Sequence, residues 1–364
     1  SSDLDLLRST GYIGYACLIH RDLWRQIPST ERASSNLLLN YVAALRCHEI
    51  FGEEAIKHID EILLHYPLMA DADSQQFENL GKLFLQEHLW RQGILAEVNP
   101  GLVKSSFFVD YQLSQKPLVS IIIPTKNRLD LLQPCVKSLL EKTRYSNYEV
   151  IIVDNCSTDP ATLAYLEQLP SHDTRFKVLR YTKIYNYSAI NNFAAQHAKG
   201  DFVLLLNNDT VILQENWLDR MVAIGLRQDV GAVGCRLVYA DQRVQHAGVI
   251  LGLGGVAEHI GIGLSMNDPG YQGRAQLTQN FSAVTAACML VRKQLFFDVD
   301  GLDEKDFAVL YNDIDLCLKL GERGYRIVWT PFVTLIHHGN SSLKEEKDTE
   351  RDNKNLISQR AFIK

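Results

Sequence analysis

The chain has 364 residues, a formal net charge of −6, 46% hydrophobic residues and 22% charged residues. This length is long for one hydrophobic core and favours two domains, while the composition is ordinary for a soluble globular protein. The negative charge argues against a protein whose main partner is nucleic acid.

Cysteine usage points to a reducing compartment. The seven cysteines are scattered, and no two of them form a Cys-x-x-Cys pair. Several lie in apolar runs, as buried free thiols do, so a cytoplasmic setting without a zinc site is expected. No run of 18 apolar residues and no signal peptide are visible. Because Ser1 is not a natural start, we expect a segment of a longer polypeptide.

The first hundred residues are predicted to be mostly helical. Apolar residues recur every three to four positions over 37–50, 55–64 and 75–90, which favours helices there. A short strand is predicted over 107–111, and Ser-Gln-Lys-Pro at 114–117 is predicted to be a linker.

From residue 118, apolar runs alternate with helical patterns. Strands are predicted over 118–124, 148–154, 176–181 and 202–206, and helices over 129–143, 160–169, 188–198 and 215–227. Continuous apolar runs are typical of parallel strands buried on both faces, so this segment is interpreted as a βαβ nucleotide-binding half. Farther along, a helix is predicted over 313–322 and strands over 326–330 and 333–336.

The stretch Phe202-Val-Leu-Leu-Leu-Asn-Asn-Asp209 carries the most information about function. An apolar strand runs directly into polar and acidic residues, and ligands bind at the carboxyl ends of strands in open parallel sheets. A lone Asn-Asn-Asp would usually be a turn. Two earlier strands end in the same way, at Pro124-Thr-Lys-Asn-Arg128 and at Asp154-Asn155, so a ligand-binding edge is predicted.

A glycine-rich segment covers residues 252–263. It lacks the lysine of a phosphate-binding loop, so we expect a mobile loop on the acceptor side of the site. A set of rigid tight turns is the alternative.

Asp154, Asp209, Asp313 and His337 stand at the ends of predicted elements. Carboxylates and imidazoles bind divalent metals, and carboxylate oxygens suit Mg²⁺ or Mn²⁺. Taken singly, Asp313 is equally well explained as a helix cap, and His337-His338 as an ordinary surface or core pair. The order in which these residues occur along the chain favours a functional site over these separate explanations.

In sum, the motifs resemble those of family 2 glycosyltransferases with the GT-A fold, a Rossmann-like mixed α/β sheet that binds nucleotide-diphospho-sugars. The resemblance covers about residues 117–340, and it is closest to bacterial enzymes of O-antigen and other cell-surface polysaccharides, including rhamnosyltransferases. It rests on Pro124-Thr-Lys-Asn-Arg128, Val153-Asp-Asn155, Asn207-Asn-Asp209, Tyr311-Asn-Asp-Ile-Asp315 and His337-His338. Similar phrases are Asn186-Tyr-Ser-Ala-Ile-Asn-Asn192, Val244-Gln-His-Ala-Gly248, Ser282-Ala-Val-Thr-Ala-Ala-Cys288 and Val328-Trp-Thr-Pro331.

The resemblance implies a role for each matching position. Asp313 is the implied catalytic base, and Asp209 and His337 are the implied metal ligands. The implied nucleotide-binding residues are Pro124, Thr125, Asn127, Arg128, Asp154, Asn192 and Asn208. Asn207 replaces the first Asp of the family's Asp-x-Asp, which weakens that ligand, and Asn312 replaces the Glu of its Glu-Asp pair.

The implied reaction is an inverting transfer of a sugar from a UDP- or dTDP-linked donor to a saccharide or lipid-linked saccharide acceptor. Asp313 takes the proton of the attacking hydroxyl, and Mn²⁺ or Mg²⁺ stabilises the leaving diphosphate. The implied location is the cytoplasm, and peripheral association with the inner face of the cell membrane is compatible with it. No nucleic acid partner is expected. Two alternatives stay open: a non-catalytic GT-A-like binding module and a nucleotidyltransferase.

Three segments are therefore predicted: residues 1–116, residues 117–340 and a charged tail over 341–364. An internal echo links Ala16-Cys-Leu-Ile-His-Arg21 to Ala287-Cys-Met-Leu-Val-Arg292. One hypothesis makes residues 1–70 the remnant of an upstream glycosyltransferase module, as part of a larger multidomain enzyme. The other makes them an unrelated helical extension.

Overall fold

The computed structural model describes residues 3–14, 16–32, 35–59, 71–253 and 256–339. These residues divide into two compact units. Unit 1 comprises Ser1–Gln112 and Pro269–Asn280, and unit 2 comprises Leu113–Asp268 and Phe281–Lys364. The predicted tail over 341–364 lies outside the described residues.

Unit 1 is mostly helical, as predicted. Its helices are α1 (Leu4–Ser9), α2 (Arg21–Gln26), α3 (Ser29–Arg32), α4 (Asn36–Phe51) and α5 (Asp71–Arg91), and its strands are β1 (Ala96–Pro100), β2 (Phe107–Tyr111) and, later in the chain, β12 (Gln279–Asn280). Helices α4 and α5 meet over a core in which the rings of Tyr41 and Phe77 lie 5.1 Å apart edge to face.

Three features of unit 1 differ from the prediction. The helix expected over 55–64 is absent over its described part, where a 3-10 turn at Glu53–Ala55 is followed by irregular chain; residues 60–64 lie outside the described residues. Strand β1 was not predicted, because proline is poor within strands, and here Pro100 closes the strand. Residues 269–280, assigned by sequence to the second domain, belong to unit 1.

Unit 2 is built on a mixed sheet. Its first strands are β3 (Val119–Thr125), β4 (Tyr148–Asp154), β5 (Phe176–Arg180), β6 (Phe202–Leu206) and β7 (Thr210–Ile212), and its first helices are α6 (Leu129–Lys142), α7 (Pro160–His172), α8 (Tyr187–His197) and α9 (Trp217–Gly225). Strands β6, β3, β4 and β5 pair in that order, all parallel. The predicted βαβ half is confirmed, with each element within a few residues of its expected bounds.

The second half of unit 2 extends the sheet. Its strands are β8 (Val230–Val238), β9 (Val244–His246), β10 (Val249–Leu251), β11 (Ala257–His259), β13 (Cys288–Arg292) and β14 (Arg326–His337), and its helices are α10 (Lys293–Asp298) and α11 (Asn312–Glu322). Strand β13 is antiparallel to both β6 and β8, and β14 is parallel to β8. The two strands predicted over 326–336 form the single strand β14, whose register shifts between Thr330 and Thr334. Pro331 lies in that shift because it has no N–H for the ladder.

This topology brings the site to one edge of the sheet. Strands β3, β4, β6, β8 and β14 run in the same direction, so their carboxyl ends meet at one edge. Because β13 runs the opposite way, its first residue, Cys288, pairs with Leu206 at the end of β6. Residues just before β13 therefore lie at the same edge. Strand β7 carries the chain from Asp209 back along β14, with Thr210 opposite His337.

The glycine-rich segment forms the turns around the hairpin of β10 and β11, in which Val249 pairs with His259. Gly252, Gly261 and Gly263 have positive φ angles, as tight turns require. Gly254 and Gly255 lie outside the described residues, and the expected mobility stays a prediction. Over the described ranges, no helix has an apolar stretch sufficient to cross a bilayer.

Candidate active site at the carboxyl edge of the sheet

Asp209 and His337 form the centre of the site. Asp209 follows β6 and is 5% exposed, and His337 ends β14. The Oδ1 atom of Asp209 lies 3.1 Å from Nε2 of His337. The backbone fixes this approach, because the N–H of His338 donates to the carbonyl of Asp209 at 3.0 Å. His338 itself is exposed.

Gln245 sets the orientation of the His337 ring. Nδ1 of His337 lies 2.5 Å from Oε1 of Gln245, an atom that can only accept, so Nδ1 carries the proton. Nε2 then keeps its lone pair when the ring is neutral. A histidine held in this way by its second nitrogen is typical of a metal ligand.

Asn207 occupies the place of a first carboxylate. Its Nδ2 faces Nε2 of His337 at 3.2 Å, and its Oδ1 accepts from the Tyr187 hydroxyl at 3.2 Å. Burial raises the pKa of Tyr187 well above its ordinary value, so this hydroxyl remains a donor. Tyr187 thereby fixes the amide with its NH₂ group, not its oxygen, toward His337.

The donor set fits one divalent cation. The separation of 3.1 Å between Asp209 Oδ1 and His337 Nε2 is close to the edge, about 3.0 Å, of an octahedron with bonds of about 2.1 Å. Two lone pairs at this distance repel each other unless a proton or a cation lies between them. Within the described ranges, no cluster of three or more His, Cys, Asp or Glu side chains is suited to a metal.

Asp313 lies in the first turn of α11. Its Oδ1 accepts from the N–H of Ile314 at 3.0 Å, and its Oδ2 accepts from the N–H of Ala286 at 3.1 Å. The second bond goes beyond helix capping, because it ties the carboxylate to the segment that precedes β13. Asp315, two residues on, pairs with Lys319 of its own helix at 2.9 Å. The two acids of this motif therefore have different surroundings.

The Ala286 peptide joins the two halves of the site. Its N–H donates to Asp313, and its carbonyl accepts from the Tyr187 hydroxyl at 3.2 Å. The same hydroxyl reaches Asn207, whose amide contacts His337. A continuous hydrogen-bonded chain thus connects the expected base with the expected metal ligands, although these residues are far apart in sequence.

Asp154 and Asn127 organise the edge beside β3 and β4. Asp154 is 3% exposed; its Oδ1 accepts from the N–H of Ser157 at 2.9 Å, and its Oδ2 lies 3.7 Å from Nε of Arg180. Oδ1 of Asn127 accepts from the N–H groups of Thr158 and Asp159, at 2.8 and 3.0 Å. The turn-capping role of Asp154 is therefore present, and its second oxygen faces an exposed guanidinium.

Thr125 and Asn208 link the ends of β3 and β6, since Nδ2 of Asn208 donates to Oγ1 of Thr125 at 2.9 Å. Pro124 precedes Thr125 in β3. Arg128 begins α6 with a left-handed backbone, and its guanidinium pairs with Asp130 at 2.9 Å. The strand-end residues are thus together as predicted, while this arginine contacts a neighbour on its own helix.

Asn192 has a different task from the one expected. Its Nδ2 donates to the carbonyl of Leu302 at 2.8 Å and to Oε1 of Glu304 at 2.9 Å, and its Oδ1 accepts from the N–H of Leu302 at 3.0 Å. The side chain therefore anchors the loop after α10. Its assignment to the nucleotide pocket stays a prediction that these bonds do not favour.

Several site residues were not assigned by sequence: Tyr187, Gln245, the peptide of Ala286, His246 and His259. Four of them lie in phrases that carry the family resemblance, at 186–192, 244–248 and 282–288. These sequence phrases marked the residues as part of the family pattern, but they did not show which residues each side chain contacts.

Residues 120–299 match the profile described as Glycosyl transferase family 2. The chain is 38% identical over 356 residues to the O-antigen biosynthesis protein RfbC of Myxococcus xanthus, covering 96% of this chain and 27% of that protein. It is also 38% identical over 354 residues to the uncharacterized protein y4gI of Sinorhizobium fredii, covering 95% and 39%. The chain thus spans a third or so of the length of these two relatives.

Among solved structures, the chain resembles GalNAc-T7, crystallised with UDP, GalNAc and Mn²⁺. The TM-score is 0.53 at 14% sequence identity, over 67% of this chain and 48% of that one. This likeness supports the predicted GT-A-like α/β fold.

Proposed function

We propose that this chain, which belongs to glycosyl transferase family 2, is an inverting glycosyltransferase of cell-surface polysaccharide synthesis. It moves a sugar from a nucleotide-diphosphate donor to a saccharide acceptor. The carrying observation is the hydrogen-bonded chain that runs from Asp313 through Ala286, Tyr187 and Asn207 to His337.

Asp313 acts as the general base in this proposal. Both of its oxygens already accept a backbone N–H, which fixes the carboxylate without neutralising it. The attacking hydroxyl of the acceptor gives its proton to this carboxylate while its oxygen bonds to the anomeric carbon. The bond between that carbon and the diphosphate oxygen breaks on the opposite face, so the configuration inverts. Fixing both substrates at one edge lowers the barrier further.

The leaving group lies at Asp209 and His337. A divalent cation there, Mn²⁺ or Mg²⁺, supplies positive charge that stabilises the departing diphosphate. GalNAc-T7, which has a similar fold, was crystallised with Mn²⁺, and this agrees with the choice of ion. Asn207 stands where the family has a carboxylate, and its Nδ2 lies 3.2 Å from Nε2 of His337, so this amide would have to turn away for that nitrogen to hold the ion.

The nucleoside lies beside β3 and β4 in this proposal. Asp154 presents a carboxylate oxygen to base or ribose, and Thr125, Asn127 and Asn208 line the same edge. We favour UDP- or dTDP-linked donors, as the sequence resemblance implies. A saccharide or lipid-linked saccharide acceptor and work at the cytoplasmic face of the membrane are implied by the sequence resemblance and are part of the proposal.

Donor binding tests this function directly. UDP-, dTDP- and GDP-sugars are compared by thermal shift with Mn²⁺, and the best ligand is then assayed for release of the free nucleotide. We expect one nucleotide class to raise Tm and to be hydrolysed slowly without acceptor. If no nucleotide sugar binds in the presence of Mn²⁺ or of Mg²⁺, the proposed function is wrong.

A further inference from the structure

His259 lies within electrostatic range of Asp313, and His246 lies within range of His259 and His337; neither has a role in the proposed mechanism. His246 ends β9 and is 1% exposed, and His259 ends β11. Their Nδ1 atoms lie 2.6 Å apart, with the rings edge to face. A contact this short between two ring nitrogens is a hydrogen bond, so one of them donates and the other accepts.

The hairpin that carries His259 is held against the segment that binds Asp313. The N–H of Val249, opposite His259, donates to the carbonyl of Ala283 at 3.0 Å. Gly248 permits this approach, since a Cβ there would lie 2.3 Å from the ring of Phe281. Ala286, three residues after Ala283, donates to Asp313. The acceptor side of the site is therefore built from this hairpin.

Both rings are neutral. Burial lowers the pKa of His246 well below its ordinary value, and the rings of His259 and His337 lower it further. Burial also lowers the pKa of His259, while the nearby carboxylate of Asp313 opposes that change. A neutral imidazole carries a single N–H, so each ring has one donor and one acceptor nitrogen.

The buried nitrogen of His246 decides which ring donates. Its Nε2 is buried and makes no hydrogen bond to any part of the chain that the structure describes. Buried N–H groups without an acceptor are rarer than buried acceptors without a donor, so Nε2 of His246 lacks the proton. His246 therefore donates from Nδ1, and His259 accepts there. His259 must then carry its own proton on Nε2.

We propose that His259 binds the acceptor saccharide by donating its Nε2–H to a sugar oxygen beside the attacking hydroxyl, and that His246 is the positioning residue that fixes this tautomer. This inference rests on the proposed function. A bond to the attacking oxygen itself would withdraw electron density from the nucleophile, so a neighbouring hydroxyl or ring oxygen is the partner. The site thus selects acceptors with an oxygen next to the glycosylated position.

The test varies p-nitrophenyl hexosides and 6-deoxyhexosides at saturating donor, using the full chain. In His259→Ala we expect the acceptor KM to rise about tenfold, as for one lost hydrogen bond. UDP affinity in Mn²⁺ should change by less than about twofold, because the nucleotide is proposed to lie beside β3 and β4 and loses no hydrogen bond in this variant. His259→Gln keeps an N–H at the same place and should restore most of the KM.

Paired variants of His246 separate positioning from packing. His246→Asn retains a donor near Nδ1, whereas His246→Leu has none, so only the leucine variant should raise the acceptor KM. His197→Ala is the matched control, because that ring bonds only the carbonyl of Phe193 on its own helix among the described contacts.

The outcomes distinguish this inference from the function beneath it. An unchanged KM in His259→Ala would overturn the inference alone. So would a parent protein that binds and hydrolyses donor yet transfers to no glycoside, since no saccharide would then occupy the site. A parent that binds no nucleotide sugar would overturn the proposed function itself.

Discussion

Both units contain half-buried carboxylates, and the two units satisfy them differently. In unit 1, Glu49 of α4 accepts from His88 at 2.8 Å and from Arg91 at 2.9 and 3.0 Å, and it pairs with Arg46 at 3.1 Å. In unit 2, each oxygen of Asp313 accepts one backbone N–H. The guanidinium groups of Arg46 and Arg91 neutralise Glu49. Asp313 is held by backbone N–H dipoles in the part of the chain that the structure describes.

The pKa values in unit 1 follow from this arrangement. Burial by itself would raise the pKa of Glu49, yet the bonds from His88 and Arg91 hold it at about 2. Burial lowers the pKa of His88 to about 4, against the opposing bond to Glu49. At neutral pH the pair is an anion and a neutral ring. The charge of Glu49 is thus paired with Arg46 and Arg91 of its own unit.

Helices α4 and α11 can be compared directly, because each follows one of the two similar segments, residues 16–21 and residues 287–292. The segment before α2 resembles that before α10, yet residues 16–20 form no strand, whereas 288–292 form β13. The first turn of α4 has no acid, and that of α11 has Asp313 and Asp315. If residues 1–70 descend from a second module, which is one of the two hypotheses drawn from the sequence, this segment has kept a helix without an acid in its first turn.

The largest expected effect is loss of the base. Asp313→Asn should lower turnover by ~10²–10⁴-fold, the usual contribution of a general base, with donor affinity unchanged within a few fold. Asp315→Asn is the control on the same helix, since Asp315 already pairs with Lys319, and turnover there should change little. Steady-state and donor-binding measurements check both, and near-normal turnover of Asp313→Asn would remove this residue from the mechanism.

Metal dependence is the next test. EDTA should abolish donor binding, and Asp209→Ala and His337→Ala should each weaken it in Mn²⁺ because each removes a ligand. Gln245→Ala should weaken it by about 10–100-fold, since this residue only orients His337. Titration calorimetry with and without Mn²⁺ measures the effect. Full activity in excess chelator would mean that Asn207 marks a metal-independent site.

A smaller effect is expected for the nucleoside contact. Asp154→Ala should weaken binding of free UDP or dTDP about tenfold, as for loss of a hydrogen bond to a charged group. Asp159→Ala is the control, because Asp159 caps α7 by accepting from Thr162 at 2.8 Å. That variant should lower the stability of α7 slightly without lowering the affinity for UDP. Equal UDP affinity in Asp154→Ala and the parent would leave Asp154 with its turn-capping role only.

The smallest effect concerns stability of unit 1 toward acid. The pKa of His88 is about 4, below its ordinary 6.5, so the unfolded chain takes up a proton first and stability falls as pH drops through this window. The pKa of Glu49 is about 2, below 4.5, so its contribution is lost as pH falls further.

Hydrogen exchange of α4 and α5 amides between pH 7 and 4 measures this loss region by region. His88→Gln should flatten the pH dependence in unit 1 and leave donor binding in unit 2 unchanged. A pH dependence that persists in His88→Gln would assign the effect to other groups.

The sequence alone determined the elements and the chemistry of the site edge. Strands β3 to β6 were predictable because buried parallel strands need uninterrupted apolar runs, and α7 because Asp159-Pro160 begins a helix. Polar residues at strand ends predicted a ligand-binding edge. The match to Glycosyl transferase family 2 confirms the family resemblance and gives no support to a nucleotidyltransferase.

Only the tertiary structure decided which side chains meet. Sheet order brings His337 beside Asp209 and the start of β13 beside the end of β6, and register is a property of pairing, not of local pattern. The proton on His259 follows from a buried nitrogen of His246, and the hydrogen bonds of Asn192 could not be predicted because its partners lie 110 or more residues away. Local propensity specifies elements, whereas contacts between distant residues depend on how the sheet closes around them.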